Sequence, residues 1–190
     1  WSYLWHLGLS CSRSGFWAAF SGAYPEDNRS GKKGNLASIM IDDQKSTFDK
    51  QASDNVRTHF EALASQREAW IRRNKYFYQE DWAYMGFLAG GGGRVLELGC
   101  GTGSLLASLE PDFGVGVDIS PAMIENARAA HPGIEFHIGD MEDPEVLAAL
   151  PGPFDTIILS DGIGTLQDCQ RLFDNLHQLC HRETRVVVDY

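Results

Sequence analysis

The sequence predicts an α/β protein: a doubly wound, mainly parallel sheet with helices on both faces, preceded by a helical segment. Three observations carry that expectation. From Arg94 onward, short apolar runs alternate with helix-length segments. The runs are apolar nearly throughout, as in Ile157-Ile158-Leu159 and Val186-Val187-Val188, the pattern of strands buried on both faces. The first of them, Val95-Leu96-Glu97-Leu98, runs into Gly99-Cys100-Gly101-Thr102-Gly103, with glycine at alternate positions. Such a turn lets bare backbone approach a ligand, because glycine accepts positive φ and has no Cβ in the way.

Residues 46–89 read as helical. Phe48, Val56, Phe60, Leu63, Trp70, Ile71, Phe77 and Met85 recur at spacings compatible with a 3.6-residue period. Gly90-Gly91-Gly92-Gly93 ends that segment and introduces the first strand. Strands are expected at 94–98, 114–118, 134–138, 154–159 and 184–189. Helices are expected at 102–109, 121–131, 144–150 and 166–180, with Ser120 as an N-cap and Pro121 at the first helical position. Right-handed crossovers put every strand-to-helix turn on one edge of the sheet, where ligands of such folds bind.

The chain of 190 residues is long enough for one domain with an additional segment. Residues 91–190 read as the ligand-binding core and 40–90 as an N-terminal helical lid segment. Residues 1–39 read as a poorly structured extension or upstream sequence, since the first methionine is Met40 and residues 25–35 have linker composition. The net charge of -10 is unevenly spread: residues 1–90 sum to +1 and residues 91–190 to -11. An acidic core repels phosphate backbones, so no nucleic-acid partner is expected. Arg72, Arg73 and Lys75 read as a solvated helix face. Cys11, Cys100, Cys169 and Cys180 form no CxxC pair, which suits reduced thiols and a cytoplasmic setting. His177, Cys180 and His181 are expected on one helix, but nothing is spaced to complete a metal site, and none is expected. No apolar run of membrane-spanning length occurs, and residues 1–24 lack the pattern of a signal peptide.

Four strand ends meet at the ligand edge. They carry Glu97 with its glycine turn, Asp118-Ile119, Gly139-Asp140-Met141 and Ser160-Asp161-Gly162. Asp118 lies about 19 residues past Gly99, the separation at which an acid accepts both ribose hydroxyls. That suits a dinucleotide or another adenosine-containing ligand. The glycines run G-x-G-x-G rather than G-x-G-x-x-G, and Glu97 stands where a pyrophosphate would lie. A carboxylate there favours a ligand with an adenosine end and a cationic end, such as S-adenosylmethionine.

Val95–Gly103 resembles the first motif of the class I S-adenosylmethionine-dependent methyltransferases. Gly116-Val117-Asp118-Ile119-Ser120 resembles their ribose-binding strand end, Gly139-Asp140-Met141 their adenine-contacting segment, and Phe154–Asp161 their fourth-strand motif. The resemblance covers about residues 56–190. Phe60–Tyr78 with Leu159–Leu166 is similar to bacterial methyltransferase domains found beside glycosyltransferases. It implies a Rossmann-like fold, S-adenosyl-L-methionine as cofactor, and methyl transfer to an oxygen or nitrogen of a small-molecule acceptor. By the same resemblance Glu97, Gly99, Cys100 and Gly101 hold the methionine part and Asp118 the ribose. Ile119 and Met123 sandwich the adenine, Asp140 and Met141 bond its edge, and Ser160 offers its carbonyl to the ammonium group.

A general base is needed only where the acceptor must lose a proton. Asp161 and Tyr76 are the catalytic candidates, with His59 and Tyr190 behind them. Trp70, Tyr76 and Tyr78 could cover the cofactor and meet its sulfonium by cation–π attraction. The last strands of the family's usual seven are absent from the sequence, so Val186–Val188 is expected to leave an open edge that a partner chain or a further segment covers. The alternatives are a non-catalytic S-adenosylmethionine-binding or interaction domain and, less favoured, an NAD-dependent oxidoreductase.

Overall fold

The computed structural model describes the backbone of Leu9–Ser10 and of residues 36–189, with side chains from Lys50 through Asp189. In chain order the elements are β1 (Leu9–Ser10), α1 (Leu36–Arg73), α2 (Lys75–Ala89), β2 (Arg94–Leu98), α3 (Ser104–Ser108) and β3 (Phe113–Asp118). There follow α4 (Pro121–Ala130), β4 (Glu135–Ile138), α5 (Pro144–Ala148), β5 (Phe154–Ser160), α6 (Cys169–Leu176) and β6 (Cys180–Asp189). The strands form one sheet in the order β1-β6-β5-β2-β3-β4. The five strands from β2 to β6 pair in parallel, and β1 alone is antiparallel.

From β2 the chain moves outward through β3 and β4, then returns to the other side of β2 for β5 and β6. That reversal opens a crevice at the carboxyl ends of β2 and its neighbours. The register lines the strand ends up along one edge: Leu98 lies opposite both Val117 and Leu159, Asp118 opposite Ile138, and Ser160 opposite Asp189.

Strand alternation divides the core. Leu96, Leu98, Ile157 and Leu159 face α5 and α6, where they meet Leu147, Leu172 and Leu176. Val95, Ile158 and Val187 face the other way, toward Met85 of α2, Leu105 and Leu106 of α3, and Ile124 of α4. Each Leu or Ile taken fully out of water contributes about 1.5–3 kcal/mol. Glu97 falls on the second face, so a carboxyl stands in an otherwise apolar layer.

Local signals set the helix ends. Ser120 Oγ accepts from Met123 N at 3.3 Å, and Pro121 opens α4. Asp143 caps α5 by accepting from Glu145 N at 2.9 Å. Gly90 stops α2 in the left-handed region with φ 86°.

Two expectations are corrected. The helix expected at 166–180 is shorter: a 3₁₀ turn occupies Ile163–Thr165, Asp168 caps α6 by accepting from Arg171 N, and the helix ends at Leu176 before a second 3₁₀ turn. Cys180 and His181 therefore belong to β6, not to a helix face shared with His177. Buried Thr184 holds this start of the strand, donating to Phe154 O at 2.6 Å and accepting from His181 N at 2.7 Å. The second correction concerns the open edge at Val186–Val188, where Leu9 of β1 lies opposite Val186 and Ser10 opposite Arg185. The remainder of residues 1–35 lies outside the described residues, and the boundary at Met40 falls within the α1 backbone.

Candidate active site

The carboxyl ends of β2, β3, β4 and β5 open into one cavity of about 310 Å³, roofed by α1 and α2. The glycine turn forms its floor. Gly99, Gly101 and Gly103 all take left-handed φ, at 75°, 52° and 73°. A Cβ on Gly101 would meet nothing within 4 Å, so its bare backbone is open to a ligand, whereas one on Gly103 would lie 2.6 Å from Phe136 Cζ. The turn is tied to β3 by Gly99 N and Cys100 N, which both donate to Val117 O, at 2.8 and 3.0 Å.

Asp118 completes that tie. Its Oδ2 accepts from Gly101 N and its Oδ1 from Ser120 N, each at 2.8 Å. Burial raises its carboxyl pKa, while those two N–H groups and the Arg67 charge pull it back down. Glu97 is only 3% exposed, and its Oε2 accepts from Leu106 N at 3.1 Å. Burial pushes its carboxyl up to about 8; the Leu106 N–H lowers it, the Asp118 charge raises it and Arg67 lowers it. Burial thus favours the protonated form of this carboxyl. The Cys100 thiol is pushed well up by burial and by Glu97 and Asp118, so it is a neutral wall atom rather than a nucleophile.

The third strand end is held from two sides. Asp140 Oδ1 accepts from Glu142 N at 2.9 Å, and its Oδ2 accepts from Ser53 Oγ of α1 at 2.5 Å. Gln167 Nε2 also donates to Ser53 Oγ, at 3.3 Å. Glu142 is buried and accepts from Gln167 N and Asp168 N at 2.9 and 2.8 Å, joining the loop after β4 to the loop after β5. At the fourth strand end Asp161 takes φ 56°, and its N–H donates to Asp189 O at 3.1 Å.

Glu97, Gly99, Cys100, Gly101, Asp118, Ile119, Met123, Asp140, Met141 and Ser160 all line this one cavity, and so does Asp161. Tyr76 does not: it is 78% exposed and lies outside the lining. Tyr78, two positions on and so about 200° round the helix, turns inward instead. Trp70 and His59 are likewise exposed and outside the lining, and Tyr190 lies outside the described residues.

Among the lining residues that the sequence reading did not assign to the site are Ser53, Arg67, Asp81 and Trp82. Two had a signal. Val56, Phe60, Leu63, Arg67 and Ile71 recur at four- and three-residue steps, so Arg67 is a lone cation in an apolar helical stripe, and all five line the cavity. Trp82 stands four residues after Tyr78 on the same face, ring centroids 5.6 Å apart. Asp81 has its carboxyl raised by burial and by the charges of Asp189 and Asp161, which makes it a stronger proton acceptor than an ordinary aspartate.

A glycine turn with a buried acid beneath it, followed by an acid at each of the next two strand ends, is thus the polar side of one cavity in an α/β domain. The profile of the family described as "Methyltransferase domain" matches residues 69–190. The chain belongs to that family, and its fold is the Rossmann-like fold of the class I S-adenosylmethionine-dependent methyltransferases. It is 40% identical over 88 residues to the release factor glutamine methyltransferase of Rhodospirillum rubrum, covering 40% of this chain and 25% of that protein. It is 37% identical over 79 residues to the magnesium-protoporphyrin O-methyltransferase of Rhodobacter capsulatus, covering 38% and 33%. The matched region thus spans a quarter to a third of these curated relatives. Among solved structures, magnesium protoporphyrin IX methyltransferase from Synechocystis PCC 6803, with S-adenosylmethionine bound, superposes with a TM-score of 0.57. The identity is 21%, over 72% of this chain and 74% of that one. Among the described residues, no helix is long and apolar enough to cross a membrane.

Proposed function

We propose that this chain binds S-adenosylmethionine in the cavity and transfers its methyl group to an oxygen or nitrogen of a small-molecule acceptor. In this reading residues 91–190 form the cofactor core and residues 40–90 the lid segment. The observation that carries it is the meeting of Glu97, Asp118 and Asp140, from three successive strand ends, in one cavity floored by the glycine turn. Those groups match the cofactor in order: an acid for the α-ammonium, an acid for the ribose hydroxyls and an acid for the adenine amino group. Met123 and Ile119 supply apolar surface to the adenine faces.

Bound there, the cofactor supplies a methyl group already activated on a sulfonium, so the protein's task is alignment and exclusion of water. The glycine turn fixes the amino-acid end, since Gly99, Cys100 and Gly101 are tied to β3 before any ligand arrives. Tyr78 and Trp82 of α2 close the side opposite the sheet edge and keep water from the reacting atoms. Asp161 and Asp81 both line the cavity and can hold or take a proton from an acceptor hydroxyl or amine.

Calorimetry with S-adenosylhomocysteine and with NAD tests the cofactor. Binding of the first and not of NAD is expected, and the reverse overturns the assignment. Transfer of a labelled methyl group into a panel of small hydroxy, carboxylate and amine acceptors then separates an enzyme from a non-catalytic cofactor-binding domain.

A further inference from the structure

We infer that the corner between α1 and α2 is a docking surface for an anionic lipid bilayer, its aromatic side chains entering the interface and its cations meeting the lipid phosphates. The inference goes beyond the methyl-transfer reading and does not depend on it. At this corner Trp70, Tyr76 and Phe77 are 55%, 78% and 66% exposed. Arg72, Arg73 and Lys75, interleaved with them, are exposed as well. Residues 69–78 contain no acid, so these three cations are their whole charge. The flanking acids are Glu80 and Glu68, and Glu68 accepts from Ser104 Oγ at 3.3 Å. A helix face that meets only water is polar, whereas large aromatics left together in solvent mark a surface built for a partner. The corner is also pre-formed. Asn74 N and Nδ2 both donate to Trp70 O, at 3.0 and 2.9 Å, and Asn74 O accepts from Tyr78 N at 3.2 Å.

Charge and shape select the partner. An anionic surface attracts the cationic corner and repels residues 91–190, which sum to -11, so the charge distribution sets an orientation with the corner toward the lipid. Trp and Tyr settle at bilayer interfaces, and Lys and Arg add attraction to anionic headgroups. A single-stranded nucleic acid also takes cations and aromatics, but along a groove that tracks its backbone. Here the side chains project from a turn between two helices, and the acidic core repels a long polyanion. Among the described residues no helix is long and apolar enough to cross a membrane, so the chain lies on the bilayer rather than spanning it. The inner side of the same corner is cavity wall. Ile71 and Tyr78 line the cavity, and the Phe77 ring meets the Tyr78 ring edge-on, centroids 5.4 Å apart. Docking through Phe77 therefore presents the cavity to molecules carried in the lipid.

Co-sedimentation of the full chain with lipid vesicles tests this, with thermal unfolding confirming that each variant is folded. Wild type is expected to bind vesicles of phosphatidylglycerol and phosphatidylcholine in equal parts at least tenfold better than vesicles of phosphatidylcholine alone. Equal binding, or none, overturns the proposal. Arg73→Gln is expected to weaken binding roughly fivefold, the effect of about one charge at an anionic surface. Arg182→Gln removes an exposed cation near the start of β6 and is expected to change binding less than twofold. Equal losses in the two variants mean attraction without a docking face and overturn the proposal. Trp70→Ser combined with Phe77→Ser leaves every charge in place and is expected to lose at least tenfold. Unchanged binding there overturns it, since the rings then do not enter the interface. Binding of a single-stranded oligonucleotide more tightly than the vesicles, lost in Arg73→Gln, assigns the corner to nucleic acid and overturns it too.

Discussion

The Asp118 carboxylate receives the Gly101 N–H at 2.8 Å, so the acid at the end of β3 builds the glycine turn at the end of β2. The same carboxylate holds Ser120 N, which starts α4. Removing it therefore strips support from the cradle as well as the partner proposed for the ribose. Asp118→Ala is expected to weaken S-adenosylhomocysteine binding by about 1–3 kcal/mol and to destabilise the fold by a similar amount, since two N–H groups lose their acceptor. Asp118→Asn, which keeps one acceptor oxygen, should fall between. Calorimetry and thermal unfolding measure the two effects.

The raised Glu97 carboxyl is expected to make stability depend on pH. Its folded pKa of about 8 lies above the ordinary value of 4.5, so its favourable contribution is complete below the unfolded pKa. It is lost as pH rises through about 8. Glu97→Gln is expected to match wild type near pH 5 and to exceed it by several kcal/mol, roughly 3–5, near pH 9. Unfolding curves across that range decide the point.

A cofactor ammonium beside Glu97 requires the ionised form, against the opposing Asp118 charge and with the help of Arg67; the Cys100 thiol stays neutral throughout. Binding at pH 7 should then release close to one proton, and affinity should rise with pH up to about 8. Calorimetry in two buffers of different ionisation enthalpy reads the proton directly. No release would mean that Glu97 is already ionised or does not meet the ligand.

Ser53→Ala removes the hydroxyl that ties α1 to Asp140. A net hydrogen bond of about 0.5–1.5 kcal/mol implies dissociation of S-adenosylhomocysteine faster by roughly two- to tenfold. Stopped-flow fluorescence from Trp82, which lines the cavity, can follow it.

Thr184→Val tests the β6 start apart from the site. Its hydroxyl both donates to Phe154 O and accepts from His181 N, and the residue is fully buried. The expected loss is about 1–3 kcal/mol in denaturant unfolding, with cofactor affinity unchanged.

The parts of the fold written in local pattern were legible in the sequence. Ile157–Leu159 and Val186–Val188 identify buried strands by composition, and Ser120-Pro121 marks a helix start by capping chemistry. The strand-end acids were legible because parallel topology gathers strand ends on one edge whatever the details of packing. The roof was harder, since α1 and α2 are exposed on one side and their inward face depends on helical phase. Two residues of phase separate Tyr78, which turns inward, from Tyr76, which does not. Ser53 reaches Asp140 across 87 positions of sequence, a contact no local pattern encodes. The end of α6 was misread because the hydrophobic period runs on through Leu179 after the backbone has tightened into a 3₁₀ turn.

The Ser53 hydroxyl on Asp140 Oδ2 has a kinetic consequence. A carboxylate oxygen has two lone pairs, so Oδ2 can keep the Ser53 hydroxyl while its second acceptor site takes an adenine amino group, and the roof then stays fastened to the floor over a bound nucleoside. A single hydrogen bond between roof and floor thereby acts as a brake on departure. In the proposed enzyme, product release would be the step through which α1 sets the pace.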